Sequence, residues 1–191
     1  MSSLRLEQFR QAIQRVHPSN LNNKAVESFQ KQMLDLLDLS GEDSLNRNHP
    51  KAHFTCSAFI FSEQGQCLAL FHKKLQRWLQ PGGHVEYKDQ TPLAAALREA
   101  QEESYLMDLV PLYPFPIDLD IHRIPARKDE AEHFHYDIRY ALLTKTPQKA
   151  MLSYESTGLS WLNQDTLEDW INSAESISRA VKVAKAELKL K

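Results

Sequence analysis

Four ionisable side chains lie close together after a pair of glycines: Arg98, Glu99, Glu102 and Glu103. On a helix, positions 99, 102 and 103 are related by i, i+3 and i+4, so the three carboxylates project from one face. Such a group of anions is repulsive unless a cation lies between them. Hard oxygen ligands favour Mg²⁺ or Mn²⁺, and Mg²⁺ commonly takes substrate phosphates as further ligands. The residues therefore predict phosphate chemistry that depends on a divalent metal.

The helix that must carry these acids has a start signal of its own. Thr91 is a favourable N-cap, and Pro92 suits the first helical position, where its missing N–H costs no hydrogen bond. Small and apolar side chains then recur at helical spacing and can pack against a sheet. Because Gly82 and Gly83 let the backbone approach a ligand closely, loop and helix together predict a cradle for a metal and a phosphate. The alternative is an ordinary solvated helix face.

Residues 82–104 resemble the Nudix box, G-x5-E-x7-R-E-U-x-E-E-x-G-U, in which U is aliphatic. Residues 98–103 read R-E-A-Q-E-E, and the segment P-G-G-H-V-E before them is similar to the lead-in of many members. Two positions depart from the pattern. Asp89 stands where Glu is expected, with one extra residue before Arg98, and Tyr105 replaces the closing glycine. Because tyrosine is a poor left-handed C-cap, we expect the helix to continue past 105 and to stop before Pro111.

The resemblance implies hydrolysis of a P–O–P bond in a small nucleoside diphosphate linked to another group, by attack of water on phosphorus. It implies Mg²⁺ or Mn²⁺ as the cofactor. The metal ligands that it implies are Gly82, through its carbonyl, and Glu99, Glu102 and Glu103. The general base varies within the family, so Glu103, Glu99 and the loop residue Glu155 are all candidates. Arg98 is expected to hold the glutamates in place, because it lies four residues before Glu102.

A second group of polar residues lies between positions 122 and 136. On a strand, His133 and His135 would share one face, opposite Phe134. Cations and imidazoles beside a metal–diphosphate site could bind substrate phosphates. The predicted substrate-binding residues are Gly83, His84, Arg123, His133 and His135. A surface segment with hydrogen-bonded histidines is the alternative. A histidine metal site is also conceivable, but no third ligand for one is evident in the sequence.

Composition narrows the classes of partner. The 191 residues carry a formal charge of −2, which favours a small nucleotide over nucleic acid. The two cysteines, Cys56 and Cys67, are too few for a disulfide framework or a cysteine zinc site and indicate a reducing compartment. No apolar run approaches membrane-spanning length, and the first residues lack the apolar stretch of a signal peptide. We therefore expect a soluble, cytoplasmic protein.

Hydrophobic periodicity predicts an N-terminal helical hairpin followed by a mixed sheet with helices. The order of elements is similar to the Nudix α/β/α sandwich, so the predicted fold class is α/β (α+β). Residues 1–45 are predicted to form the helical extension, which would pack on the domain or contribute to a homodimer, and 46–191 the Nudix domain. The predicted helices cover residues 6–16, 21–37, 165–171 and 177–188, and the predicted strands cover 54–61, 67–71, 117–121, 134–143 and 159–162.

Three function classes fit parts of this sequence. The leading class is a metal-dependent Nudix pyrophosphohydrolase. The second is a Nudix-fold ligand-binding or regulatory module without turnover, which the extra loop residue and the lost glycine would permit, although all three box acids are retained. The third is a zinc deaminase, suggested by the H-x-E pattern of His84 and Glu86. That class requires a downstream P-C-x-x-C, which the sequence lacks.

Overall fold

The computed structural model describes residues 3–20, 23–127, 131–173 and 175–188. The helices of this part are α1 (Leu4–Gln14), α2 (Lys24–Ser40), α3 (Pro92–Ser104), α4 (Gln164–Ser173) and α5 (Glu175–Glu187). The strands are β1 (Ala52–Ser62), β2 (Cys67–His72), β3 (Arg77–Leu79), β4 (Gly82–His84), β5 (Val110–Pro111), β6 (Asp118–Ile124), β7 (His133–Thr144) and β8 (Ser156–Leu162).

All of these strands belong to one mixed sheet, with β1 and β7 at its centre. β1 and β7 run parallel and stay in register along their whole length, from Ala52 opposite Phe134 to Ser62 opposite Thr144. The other pairings are antiparallel: β2 and β4 pair with β1, β5 and β6 with β7, and β3 and β8 with β2. β1 is buried throughout because both faces of the sheet are covered, which accounts for its largely apolar sequence.

Helices cover the two faces of the sheet. One face, which we call the α3 face, carries the side chains of Phe54, Cys56 and Tyr140, which pack with α1, α2 and α3. The opposite face, which we call the α5 face, carries Phe59 and Ala141, which pack with α4 and α5. Residues two apart on a strand share a face. Toward the start of β1 and β7, the α5 face therefore carries a buried polar layer that includes His53, Thr55 and Ser57.

The predicted α/β/α sandwich with a mixed sheet and an N-terminal helical pair is confirmed. Helices α1 and α2 bury Phe9 and Met33 in the core that α3 also shares, so the pair packs on the sheet. Residues 21 and 22 of the predicted second helix lie outside the described residues, and the division into 1–45 and 46–191 stays a prediction. Both cysteines are buried and free. No helix in the described ranges is long and apolar enough to cross a membrane.

Helix α3 begins as predicted but ends earlier. The Thr91 hydroxyl accepts a hydrogen bond from the Ala94 N–H at 3.0 Å. The expectation that the helix continues past 105 is wrong: Tyr105 takes a left-handed backbone with φ 58°, and its N–H donates to the Gln101 carbonyl. This backbone costs about 1–2 kcal/mol for a residue with a side chain. The turn brings Leu106 into the core with no exposed surface, and burial of a leucine contributes about 1.5–3 kcal/mol.

Candidate active site

The glycine pair forms a short strand beside the centre of the sheet. In the pairing of β4 with β1, Gly82 lies opposite Ser57 and Gly83 opposite Cys56. A Cβ on Gly82 would lie 2.4 Å from the Ser57 Cβ, and a Cβ on Gly83 would lie 2.7 Å from the Glu99 carboxylate. Position 82 therefore requires glycine for the packing of β4 on β1, and position 83 requires glycine so that the Glu99 carboxylate can lie against the backbone. Because Gly83 shares its face with Cys56, Glu99 lies on the α3 face.

Three carboxylates gather above this strand. Glu103 Oε1 accepts a hydrogen bond from the Gly82 N–H at 2.9 Å. The pKa of Glu103 is raised to about 8, chiefly by burial and also by the charges of Glu99, Glu155 and Glu102, against the lowering effect of the Gly82 hydrogen bond. Burial also raises the pKa of Glu99 against the lowering effect of Arg98, and the charges of Glu102 and Glu155 act in the same direction as burial. These anions therefore lie close together in a partly dehydrated place, and the exposed Glu155 belongs to the same group.

Arg98 holds the carboxylate group from one side. Its Nη1 lies 2.7 Å from Glu99 Oε1 and 3.0 Å from Glu102 Oε2. Its Nη2 donates to the His84 carbonyl at 2.8 Å and to Asp89 Oδ2 at 2.8 Å. Only 11% of the Arg98 side chain is exposed. The guanidinium thus fixes two glutamates of α3 and the end of β4 in one arrangement.

Asp89 is a site residue for which the sequence alone indicates no role. It is the shorter acid found where the Nudix pattern has Glu, and its carboxylate is buried. It accepts hydrogen bonds from Arg98 and from the Glu86 N–H, the latter at 2.8 Å. The departure from the motif therefore preserves a buried anion that orients the arginine.

The donor set of the carboxylate group fits a hard divalent cation. The contacts with Arg98 and Gly82 engage Oε1 of Glu99 and Oε1 of Glu103, so each carboxylate can offer its second oxygen to a metal. A cation would also offset the repulsion that raises the pKa of both acids. Oxygen ligands of this kind select Mg²⁺ or Mn²⁺ over softer ions.

The predicted histidines lie together on the side of β4 opposite Glu99. His133 and His135 share the α5 face with His53, because His53 pairs with His135 in the β1–β7 register. His84 follows Gly83 and therefore faces the other way, and its ring lies 5.0 Å from that of His53. No third ligand beside His133 and His135 was evident in the sequence, and strand pairing brings His53 and His84 to them. This group is separated from Glu99 by the backbone of β4.

Arg123 does not lie beside the histidines. On β6 it pairs with Phe134, one position away from the pair of His122 and His135. Its side chain therefore projects from the opposite face, where it lies 3.0 Å from Glu132 and is 61% exposed. No described contact links Arg123 to the carboxylates of α3.

One substitution tests whether Gly83 positions Glu99. Gly83→Ala should lower kcat by about 10²-fold, because a catalytic group displaced by about 1 Å can lose that much activity. The melting temperature should change little, since the Cβ would meet only the flexible end of the Glu99 side chain. Gly82→Ala is the contrasting variant: its Cβ would meet the backbone of Ser57 at 2.8 Å, so it should lower the melting temperature. An unchanged kcat for Gly83→Ala would contradict this role.

The model of the NUDIX domain family matches residues 51–180, more than half of the chain, so the protein belongs to the Nudix family. It is similar to a NUDIX family hydrolase from Clostridium perfringens, at 25% identity over 72% of this chain and 97% of that chain, with a TM-score of 0.54. Its fold is also similar to that of an Ap4A hydrolase binary complex from C. elegans, at 19% identity over 71% of this chain and 97% of that chain, with a TM-score of 0.57. No curated protein sequence matches the chain. Its family makes the protein a pyrophosphohydrolase.

Proposed function

We propose that the protein hydrolyses the P–O–P bond of a small nucleoside diphosphate linked to another group, with Mg²⁺ or Mn²⁺ as cofactor. The observation that carries this proposal is the pair of half-buried carboxylates, Glu99 and Glu103, that lie against the Gly82–Gly83 backbone. The ligands for the cation are the Gly82 carbonyl and the carboxylates of Glu99, Glu102 and Glu103. When bound, the cation neutralises phosphate charge and lowers the pKa of bound water.

We assign Glu103 as the general base. A positioned carboxylate is a suitable general base, and the partly buried Glu103 lies against the Gly82 backbone. The Gly82 N–H fixes the orientation of its carboxylate. Glu99 is paired with Arg98 at 2.7 Å, which suits a ligand that must remain ionised. Glu155 is the alternative base, because its charge acts on both Glu99 and Glu103.

The remaining residues of the site orient these groups. Arg98 keeps Glu99 and Glu102 in place and is itself held by Asp89. Gly83 offers backbone without a side chain beside Glu99, where a phosphate could approach closely. Substrate binding by His84, Arg123, His133 and His135 stays a prediction. The three histidines lie across β4 from Glu99, and Arg123 has no described contact with the carboxylates of α3, so these positions do not favour it.

The substrate class can be found with a panel of nucleoside triphosphates, nucleotide sugars, dinucleoside polyphosphates and dinucleotide coenzymes. We expect phosphate-containing products from one class with Mg²⁺ or Mn²⁺, and no products after EDTA is added. Readdition of Mg²⁺ to the EDTA-treated enzyme should restore turnover. If the folded protein binds Mg²⁺ but hydrolyses no compound of the panel, this result would contradict the proposal and favour a ligand-binding module. Turnover that EDTA does not affect would contradict the assignment of a metal cofactor.

A further inference from the structure

We propose a second metal site in this protein, formed by His53, His84 and His135 and suited to Zn²⁺ or another first-row transition ion. One ring nitrogen of each histidine lies within 4.8 Å of the others. The three residues come from β1, β4 and β7, and strand register brings them together: His53 pairs with His135, and His84 pairs with Thr55 beside it. Imidazole nitrogens favour zinc and its neighbours, whereas Mg²⁺ and Mn²⁺ prefer oxygen.

This site is distinct from the carboxylate site. Gly83 faces Glu99 on the α3 face, and the next residue, His84, turns its ring toward His53 on the α5 face. The backbone of β4 therefore lies between the two groups. They differ in chemistry as well, since one offers carboxylate oxygens and the other offers imidazole nitrogens. The Nudix site does not account for this group of imidazoles.

His133 is placed to complete the coordination. Its Nε2 lies 3.2 Å from the Nε2 of His135, and its ring stacks on that of His53 at 4.9 Å between centroids. Zinc bound tetrahedrally at 2.0–2.1 Å places neighbouring ligand nitrogens roughly 3.3–3.4 Å apart. The pair of His133 and His135 is already near that spacing. His53, His84 and His135, whose ring nitrogens lie within 4.8 Å of one another, must converge further when a metal binds.

Outer contacts orient His133 and also His122, a neighbour of the group that packs on His135. His133 Nδ1 lies 2.9 Å from the Ala131 carbonyl, which accepts a hydrogen bond from Nδ1 and orients the ring with Nε2 toward His135. His122 Nδ1 lies 3.1 Å from Asp120 Oδ2, and its ring packs on that of His135 at 5.4 Å. Carboxylates and carbonyls that hold the second nitrogen of a histidine are a common feature of metal sites.

The state of the imidazoles favours a metal over a phosphate. His84 Nε2 is buried and has no hydrogen-bond partner among the described residues, which is costly unless a ligand satisfies it. The pKa of His84 is lowered to about 4, chiefly by burial and also by the charge of Arg47 and by neighbouring histidines, and that of His135 is lowered to about 2, chiefly by burial and also by neighbouring histidines. Neutral imidazole is the form that binds metals. A phosphate would instead be bound by cationic side chains.

Cobalt titration of the full, untagged chain after removal of metals tests the site, because Co²⁺ in a tetrahedral nitrogen site absorbs visible light. We expect the d–d bands to saturate at one equivalent of Co²⁺ and to disappear when Zn²⁺ is added. His135→Ala should raise the Kd for Co²⁺ more than about 100-fold, beyond the effect of losing an outer partner. His72→Asn is the matched control: it removes a histidine outside the group but keeps an acceptor for the Lys74 N–H.

Two further results separate this site from the Nudix site. Glu103→Gln should leave the cobalt bands unchanged while it removes hydrolysis, so the failure of one proposal does not imply the failure of the other. Wild-type protein without d–d bands would overturn the histidine site, whether or not His135→Ala folds. Bands that His135→Ala retains, or that Glu103→Gln removes, would overturn it as well.

Discussion

Glu103→Gln should lower kcat for the best P–O–P substrate by about 10²- to 10⁴-fold, the range in which a positioned general base contributes. Glutamine keeps the size of the side chain and can still accept the Gly82 N–H, but it cannot take a proton. The same change removes a proposed ligand of the cation, so the apparent affinity for Mg²⁺ should fall too. Both effects can be measured from steady-state rates as a function of the Mg²⁺ concentration.

Thermal melts with EDTA show whether the variant is folded. The pKa of Glu103 in the folded state, about 8, lies above its ordinary value of 4.5. The folded protein therefore holds a proton in that interval which the unfolded chain releases, and its stability falls as the pH rises from 4.5 to 8. Glutamine cannot ionise, so the melting temperature of Glu103→Gln should exceed that of the wild type at pH 8 and approach it at pH 5. Glu63→Gln, the same substitution at an exposed residue, should alter neither kcat nor the pH dependence of the melting temperature. Full activity of Glu103→Gln would remove Glu103 from the site.

Arg139→Met should lower the free energy of unfolding by about 3–5 kcal/mol, the cost of removing one partner from buried ion pairs. Arg139 is 4% exposed and lies 2.9 Å from Asp120, 2.9 Å from Asp137 and 3.3 Å from Asp118. The pKa of Asp120 lies below its ordinary range, because the hydrogen bond from His122 and the charges of Arg139 and Arg179 outweigh the effect of burial. Without Arg139, carboxylates beneath the α5 face would be left poorly compensated. Urea denaturation measures the loss.

Arg123→Met is the matched control for this prediction. The same substitution is made at an exposed arginine that pairs only with Glu132 among its described ion pairs. Exposed pairs contribute little, so the free energy of unfolding should change by less than about 1 kcal/mol. An equal loss of unfolding free energy for the two variants would show that the buried ion pairs of Arg139 do not stabilise the fold more than an exposed pair does. A loss below about 1 kcal/mol for Arg139→Met would contradict the prediction directly.

Local patterns in the sequence were enough to predict the main elements. The helical stripes and apolar runs predict α1, β1, β2, β7 and α3, because each element is long and has one clear period. The start of α3 follows from Thr91 and Pro92 alone. Spacing along α3 also anticipates the contact between Arg98 and Glu102, which are four residues apart. The cytoplasmic location and the homodimer remain predictions.

Contacts between distant strands could not be predicted from local patterns. His53 belongs to no recognisable sequence motif, and only the register of β1 with β7 brings it to His135. The ion pairs of Arg139 with Asp118 and Asp120 depend in the same way on the pairing of β6 with β7. The end of α3 was mispredicted because burial of Leu106 outweighs the backbone preference of Tyr105. Local propensity decides such positions only where tertiary packing makes no stronger demand.

Hydrolysis in H₂¹⁸O tests most directly whether water attacks phosphorus at the carboxylate site. The nucleoside triphosphates, nucleotide sugars, dinucleoside polyphosphates and dinucleotide coenzymes are pooled and incubated with Mg²⁺ and either wild-type protein or Glu103→Gln. The masses of the products are then measured by mass spectrometry. We predict a pair of phosphate-containing products in which one phosphoryl group carries a single ¹⁸O atom, formed by the wild type and lost in Glu103→Gln. No labelled phosphoryl product from the wild type, or equal labelling by Glu103→Gln, would contradict the proposed reaction and its base.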